Sequence, residues 1–257
     1  MRVLVLVLLL FVPTQSFAAG SENRYMSSAS ETDKAISEVR QSARTNLLAA
    51  ERVLFAAKKA IDEASIILSA IDNKELIHRE LKRIATSVPG ARAIIVIGPD
   101  GRLLHDSFRY PAIELDLSDR PYFRDAVSKT DFLVGQQLVG RTSNTSFVPL
   151  TKRYGDNTIV AVTAPFSLVD LQTECGECWS LIIQKSGGLV TVFPPEADVS
   201  SSLVNATSKS KAKTGTQVMR YAGSVIAVGW RQSADFPIVS VAVRGMPDSA
   251  SVDADVN

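Results

Sequence analysis

The chain has 257 residues, of which 46% are hydrophobic, and its 28 lysines and arginines nearly balance 27 aspartates and glutamates, leaving a formal charge of +1. This length and hydrophobic content suffice for one large domain or two small ones with a packed core. Because the charge is close to zero, no long-range field favours binding to nucleic acid or to an anionic membrane surface.

Residues 1–18 have the pattern of a secretory signal peptide. Arg2 supplies the positive charge, Val3 to Val12 form a short apolar run, and Ser16 and Ala18 have the spacing of a cleavage site. The apolar run is shorter than the roughly 20 residues that a permanent membrane-spanning helix needs, so a retained anchor is the lesser alternative. We therefore expect cleavage after Ala18 and a periplasmic or secreted protein.

Residues 19–30 are polar and predict a flexible leader, and residues 31–88 predict two helices. In the first helix, apolar residues form one row with a spacing of seven and a second row beside it: Ile36, Ala43, Ala50, Ala57, Ala64 and Ile71, then Leu47, Leu54, Ile61 and Leu68. Two such rows make an apolar stripe on one face of a helix. The stripe packs on the chain's own sheet, forms the seam of a homodimer, or does both. The second helix follows Asp72-Asn73 and stops at Pro89-Gly90.

Residues 89–168 change to a strand pattern. The β-branched run Ala93 to Ile97 is followed by a Gly98-Pro99-Asp100-Gly101 turn and a returning strand, Arg102 to Ser107. Three further strands are predicted: Phe132 to Val139, Ser146 to Tyr154 and Thr158 to Pro165. Two strands, a helix and three strands behind a long helix are typical of an antiparallel sheet with helices on one face.

The helix between these strands is predicted from the segment Asp116 to Ala126, which also carries a candidate binding site. Ser118 or Asp119 offers a side-chain oxygen as the helix N-cap, and Pro121 suits the first turn. The cap is followed by Arg120, which offers a fork of N–H donors, and by the aromatic rings of Tyr122 and Phe123. These groups suit the binding of a small anionic ligand. The alternative is a plain helix start whose aromatic residues belong to the core.

Residues 169–245 predict a second, smaller set of strands. They are Trp179 to Gln184, Leu189 to Phe193, Gln217 to Tyr221, Ser224 to Arg231 and Ile238 to Val243. Ser200 to Thr216, which lies between the second and third of these, is rich in serine, lysine and threonine and predicts a mobile loop or a frayed helix. The small and acidic residues 246–257 predict a disordered tail.

Four segments resemble the double Cache domain, also called a tandem PDC sensor. They are Ile95 to Ser107, Asp116 to Ala126, Val139 to Ser143 with Phe147 to Arg153, and Phe236 to Val243. The second is the most specific, because it is similar to the family's Asp-hydrophobic-Ser-Asp-Arg-x-Tyr-Phe helix start. The resemblance covers most of the chain, from the long helix to Arg244. It implies an α+β fold, in which a long N-terminal helix precedes two PAS-like antiparallel-sheet modules.

Double Cache domains usually form the extracytoplasmic part of bacterial sensor kinases, diguanylate cyclases and chemoreceptors, where they bind small metabolites such as amino acids or organic acids. The resemblance implies a pocket in the first, membrane-distal-type module. It implies that five residues line this pocket, the first two being the strongest candidates: Arg120, Tyr122, Arg141, Ser143 and Thr151. The sequence departs from the family in having Thr151-Lys152 in place of the usual Ser-Arg. It also shows no membrane-spanning helix after Val243 and no output domain, so we expect it to signal only through a partner.

Cys175 and Cys178 are the only cysteines, and their close spacing favours a small disulfide loop in an oxidising compartment. A redox-active pair is the alternative, whereas c-type haem is disfavoured because Trp179 stands where that motif needs a histidine. His78 and His105 are isolated, so we expect no metal site and no cofactor. The common hydrolase, metalloprotease and phosphate-loop motifs are missing from the sequence, which predicts a protein that is not an enzyme.

The sequence therefore predicts an exported sensor module that binds a small polar or anionic metabolite and relays the bound state to a membrane-bound signalling partner. The alternative is a periplasmic interaction protein that binds no ligand and docks a membrane sensor through its long helix. A cavity filled by Phe123, Phe147 and Phe166 would favour that alternative. A weaker alternative is an exported thiol-disulfide protein that uses the two cysteines.

Overall fold

The computed structural model describes residues 19–129, 131–171, 175, 177–246 and 254–255, with side chains between residues 30 and 246. A long helix precedes two sheets of mainly antiparallel strands, which confirms the predicted α+β fold. The predicted signal peptide lies outside the described residues. No helix within the described part of the chain is both long and apolar enough to cross a membrane.

Helix α1 spans Ala19–Ala70 and packs on both sheets. It begins well before Glu31, where the sequence pattern placed its start, because no proline or glycine follows Gly20 in this segment to end a helix. The alanines of the predicted stripe are at most 1% exposed and contact the chain's own sheets: Ala43, Ala50, Ala57 and Ala64. Packing within the chain therefore accounts for the stripe.

Helix α2 spans Lys74–Ala85 and lies beside α1 on the first sheet. Asn73 caps it, because its side-chain oxygen accepts a hydrogen bond from the Leu76 N–H at 2.9 Å. The helix buries Ile77, Leu81 and Ile84 against α1 and the sheet, as the apolar spacing of its sequence predicts.

The first sheet has the strand order β2-β1-β6-β5-β3, and β4 also pairs with β5. Its strands are β1 (Ala91–Ile97), β2 (Leu103–Asp106), β3 (Leu133–Val134), β4 (Leu138–Val139), β5 (Ser146–Tyr154) and β6 (Asn157–Thr163). The single strand predicted over Phe132 to Val139 is wrong, because the structure has two short strands there, β3 and β4. Between them, the Gln137 N–H donates to Val190 O of the second sheet at 3.2 Å and not to β5. Helix α3 (Pro121–Ser128) covers the face away from α1.

The second sheet has the order β12-β9-β10-β11-β7-β8. Its strands are β7 (Cys178–Gln184), β8 (Leu189–Phe193), β9 (Thr214–Tyr221), β10 (Ser224–Gln232), β11 (Ile238–Met246) and β12 (Ala254–Asp255). The segment predicted as a loop or frayed helix contains helix α4 (Ser201–Ser208), which buries Leu203 and Val204 on the face away from α1. Within the predicted tail, β12 pairs with β9, while residues 247–253 and 256–257 lie outside the described residues.

Asn46 ties α1 to the second sheet and to the connection between the sheets. The fully buried Asn46 of α1 donates from Nδ2 to Ser180 Oγ on β7 at 2.7 Å, and its Oδ1 accepts the Asp170 N–H at 2.7 Å. Asp170 belongs to the connection between the sheets. In the same connection, Cys175 and Cys178 form a disulfide, which confirms the small loop predicted from their spacing.

Candidate ligand-binding site

A cavity of about 470 Å³ opens on the face of the first sheet that points away from α1. Because alternate residues of a strand face opposite sides, β1 sends Ile94 and Val96 into the core and Ile95 into the cavity. The apolar walls come from the sheet and from the segment before α3: Ile95, Leu103, Ile113, Leu115, Leu117, Phe147 and Val162.

Three arginines lie around this apolar cavity, and each is anchored by a main-chain carbonyl. The contacts are Arg92 Nη1 to Ser146 O at 2.8 Å, Arg120 Nη2 to Val139 O at 2.8 Å and Arg141 Nη1 to Asp116 O at 2.6 Å. A guanidinium group has five N–H donors, so each anchored side chain keeps donors for a ligand. The site is therefore suited to a carboxylate held by more than one arginine.

The start of α3 positions Arg120 and Tyr122, but not through the predicted cap. Arg120 itself occupies the N-cap position without a side-chain cap bond, and Pro121 is the first helical residue, as predicted. The predicted caps are wrong, because the Asp119 carboxylate accepts from Arg141 Nη2 at 2.6 Å and the Ser118 side chain hydrogen-bonds to the Asp116 carboxylate instead.

Tyr122 contributes a buried phenol to the cavity wall. Its ring packs edge-on against Phe147 with a centroid distance of 6.1 Å, and the Arg120 guanidinium carbon lies 6.0 Å from the ring centroid. Burial raises the pKa of Tyr122 above its ordinary value, so the hydroxyl stays protonated and can donate to a ligand.

Asp106, at the end of β2, is the one carboxylate among the described lining residues. Its Oδ1 accepts the Phe108 N–H at 2.8 Å. Burial raises its pKa, although main-chain hydrogen bonds from Phe108 and Arg109 oppose that shift. Asp106 and Arg92 were not among the site residues predicted from the sequence. Asp106 lies within the Ile95 to Ser107 segment that carries the double Cache resemblance, which was the available signal.

The raised pKa of Asp106 predicts a pH-dependent loss of stability in the ligand-free protein. A group whose folded-state pKa is raised contributes stability that is fully present below its unfolded pKa, near 3.8, and is lost as the pH rises through the folded pKa. Asp106→Asn keeps the acceptor for Phe108 but removes this titration. The free energy of unfolding of the variant minus that of the parent should therefore increase from acidic to neutral pH. Denaturant titrations of both proteins at each pH measure this difference.

A stability difference between Asp106→Asn and the parent that stays constant from acidic to neutral pH would contradict the prediction.

Four of the six predicted site residues line the cavity, namely Arg120, Tyr122, Arg141 and Ser143. Phe123 does not line it, because it is buried beneath α3 in a cluster with Phe147 and Val160. Thr151 does not line it either, since it is 1% exposed in the middle of β5. Its neighbour Lys152 faces α1 and donates to Asp62 Oδ1 at 2.9 Å.

Thr151→Val should raise the free energy of unfolding by about 1 kcal/mol, because a buried polar atom without a partner costs roughly 1–3 kcal/mol. Thr151 Oγ1 has no hydrogen-bond partner among the described residues. In contrast, Thr207→Val should destabilise the protein, because the buried Thr207 hydroxyl donates to Leu203 O at 2.9 Å. Denaturant titrations of both variants check this pair. A folded Thr151→Val that loses ligand affinity would instead place this hydroxyl in the binding site.

Among the described residues, no three potential metal-ligating side chains come together. The polar groups that line the cavity are arginines, hydroxyls and one carboxylate. This arrangement can bind and orient a small charged molecule.

No protein-family model matches the chain, and no curated protein matches it in sequence. Solved structures match its fold. The extracellular domain of a protein described as a histidine kinase, rpHK1S-Z16, is 17% identical, has a TM-score of 0.66, and is matched over 91% of this chain and 98% of that one.

Two chemoreceptor domains are also similar. The Pseudomonas fluorescens CtaA domain in complex with L-isoleucine is 11% identical, with a TM-score of 0.60 over 87% of this chain and 97% of that one. The Pseudomonas aeruginosa PAO1 PctB domain in complex with L-Arg is 12% identical, with a TM-score of 0.59 over 85% and 97%. These structures are sensor and receptor domains, not enzymes, and the chain has their double Cache fold.

Proposed function

We propose that this chain, with its double Cache fold, is an exported sensor module that binds a small metabolite carrying a carboxylate. The cavity of about 470 Å³ carries the proposal, because three anchored arginines surround its apolar walls. A guanidinium fork matches a carboxylate in two-point contact. The CtaA and PctB domains hold L-isoleucine and L-Arg, which supports a ligand of the amino acid or organic acid class here.

Asp106 favours the amino acid within this class. Its carboxylate is partly buried, and this burial raises its pKa by disfavouring the ionised form. A ligand ammonium group would stabilise the ionised form, while the ligand carboxylate would take the free N–H donors of Arg120 and Arg141. A simple organic acid would use the arginines alone, so we expect it to bind more weakly.

We propose that the bound state is relayed through the segment that contains β3 and β4. Arg120 donates to Val139 O of β4, and the nearby Gln137 N–H donates to Val190 O of β8 at 3.2 Å. Gln184 of the second sheet donates to Val134 O of β3 at 2.6 Å. A ligand that binds Arg120 thus acts on a segment that is hydrogen-bonded to the second sheet. Helix α1, shared by both sheets, would present the resulting population shift to a membrane-bound partner or a second copy.

A thermal-shift screen of the protein from Ala19 onward tests the proposal, using amino acids, organic acids, amines and purines. A ligand at a hundred times its dissociation constant stabilises the fold by about 2.7 kcal/mol, which a melting curve resolves readily. We expect amino acids to raise the Tm most. A folded protein that none of these compounds stabilises would contradict the proposal and favour the interaction protein.

The open cavity argues against the two alternatives. For an interaction protein without a ligand, the expected sign was a cavity filled by Phe123, Phe147 and Phe166. Phe147 forms a wall of the open cavity, Phe123 lies beneath α3, and Phe166 is 54% exposed on the connection between the sheets. A thiol-disulfide role needs access for an attacking thiolate, whereas Cys175 is buried and Cys178 is only partly exposed at the start of β7.

A further inference from the structure

Three arginines line a second groove, which shares no lining residue with the ligand cavity. The groove lies between α1 and the second sheet and has a volume of about 420 Å³. Arg40 and Arg44 come from α1, where residues four apart share a face, and Arg231 comes from β10. The remaining lining residues are polar or small: Gln41, Thr214, Gly215 and Thr216.

A glycine in β10 explains why these side chains meet. A Cβ atom at Gly229 would lie 2.6 Å from Val39 O, so only glycine lets the α1 main chain rest directly on this strand. Because alternate residues share a face of the sheet, Arg231 points to the same side as Gly229. The close approach therefore places Arg231 beside Arg40, which follows Val39.

The strand that forms the groove floor is held in place by hydrogen bonds. The Gln232 N–H donates to Lys213 O at 2.8 Å, and Gln232 Nε2 donates to Ser210 O at 2.9 Å. Trp230 Nε1 donates to Ala212 O at 3.2 Å. These bonds fix the segment that leads into Thr214, so the floor is organised before any ligand arrives.

The three guanidinium groups have no counter-charge among the described residues. None of Arg40, Arg44 and Arg231 makes an ion pair or a hydrogen bond there, and the groove lining contains no carboxylate. In contrast, Arg83, Arg141, Arg153 and Arg244 all have carboxylate partners. All three side chains are exposed, and an anion bound between them would relieve the mutual repulsion of their charges.

We propose that this groove is a binding site for a multivalent oxyanion, either free phosphate or a phosphate ester. The planar guanidinium fork matches the geometry of phosphate oxygens, and three such forks can share one phosphoryl group. The hydroxyls of Thr214 and Thr216 add donors at the groove floor. The site is separate from the metabolite cavity and does not depend on the function proposed for that cavity.

Isothermal titration of the protein from Ala19 onward tests the site, with inorganic phosphate, pyrophosphate and glycerol 3-phosphate as probes at matched ionic strength. The variant R40Q/R44Q/R231Q removes the three cations, and K59Q/R79Q/K82Q removes as many exposed positive charges from other surfaces of α1 and α2. We expect the first variant to bind pyrophosphate at least about a hundredfold more weakly and the control to match the parent. The single variant R231Q should lose about tenfold.

Two outcomes would overturn the proposal: a parent protein that binds none of the three probes, or equal weakening in the two triple variants, which would report net charge only. Circular dichroism of each variant shows that its fold is retained. Tighter binding of glycerol 3-phosphate than of inorganic phosphate would identify an organic phosphate as the ligand, and the reverse order would identify free phosphate. Loss of probe binding in Arg120→Gln, with R231Q binding like the parent, would place the anion in the metabolite cavity and overturn the proposal.

Discussion

Arg120→Gln should weaken the binding of a carboxylate ligand by roughly tenfold to a hundredfold, because a hydrogen bond to a charged group contributes about 1.5–3 kcal/mol. Arg120 is the most favourably placed of the three arginines. It lines the cavity, stands at the N-cap of α3, and keeps free donors beyond its bond to Val139 O. The measurement is a titration of both proteins with the amino acid that most raises the Tm of the parent.

The matched control is Arg124→Gln, four residues further along the same helix. Arg124 is exposed, donates to Ser118 O and does not line the cavity. It should therefore lose almost no affinity. If Arg120→Gln is folded and binds the ligand as tightly as the parent, the assignment of Arg120 to the site is wrong.

Asn46→Ala should lower the free energy of unfolding by about 3 kcal/mol, since it removes a buried amide that satisfies two groups in different parts of the chain. The buried Ser180 hydroxyl would lose the Asn46 Nδ2 donor, and the part-buried Asp170 N–H would lose the Asn46 Oδ1 acceptor. A buried donor left unsatisfied costs about 1–3 kcal/mol, and the small cavity left by the side chain adds to that loss. Denaturant titration of variant and parent gives the difference.

Thr45→Ala is the control at the preceding position of α1. Among the residues that the structure describes, the Thr45 hydroxyl bonds only to carbonyls of its own helix, Gln41 O and Ser42 O. Its removal should change stability by no more than about 0.5 kcal/mol. Equal effects of the two substitutions would show that the link through Asn46 does not stabilise the fold.

Local patterns were sufficient to predict the strands with clear borders. The bounds of β5 and β8 agree with the predicted Ser146 to Tyr154 and Leu189 to Phe193, since apolar runs between turn residues specify them. The interruption between β3 and β4 was not predictable in this way. It depends on the bond from Gln137 to Val190, which lies in another sheet.

The same distinction between local patterns and distant contacts holds for the residues of the candidate site. Arg120 and Tyr122 were predictable because they belong to one short motif, but Phe123 was included with them although it points into the core. Consecutive helical residues lie about 100° apart, so only one of the two aromatic neighbours can face the cavity. Asp106 reaches the cavity through the β1–β2 hairpin, whose turn was predictable, whereas the position of Arg92 depends on the pairing of β1 with β6, which no local pattern encodes.

The sharing of α1 has a consequence for how such a chain can evolve. The first half of the helix covers the second sheet through residues such as Val39, while its second half covers the first sheet through residues such as Ile61. A gene fragment for either sheet alone would leave a large apolar surface open to water, which favours aggregation. Recombination can therefore transfer the whole span from α1 to β11 as one unit. Replacement of one sheet by a homologous sheet would also require an α1 helix that fits both sheets.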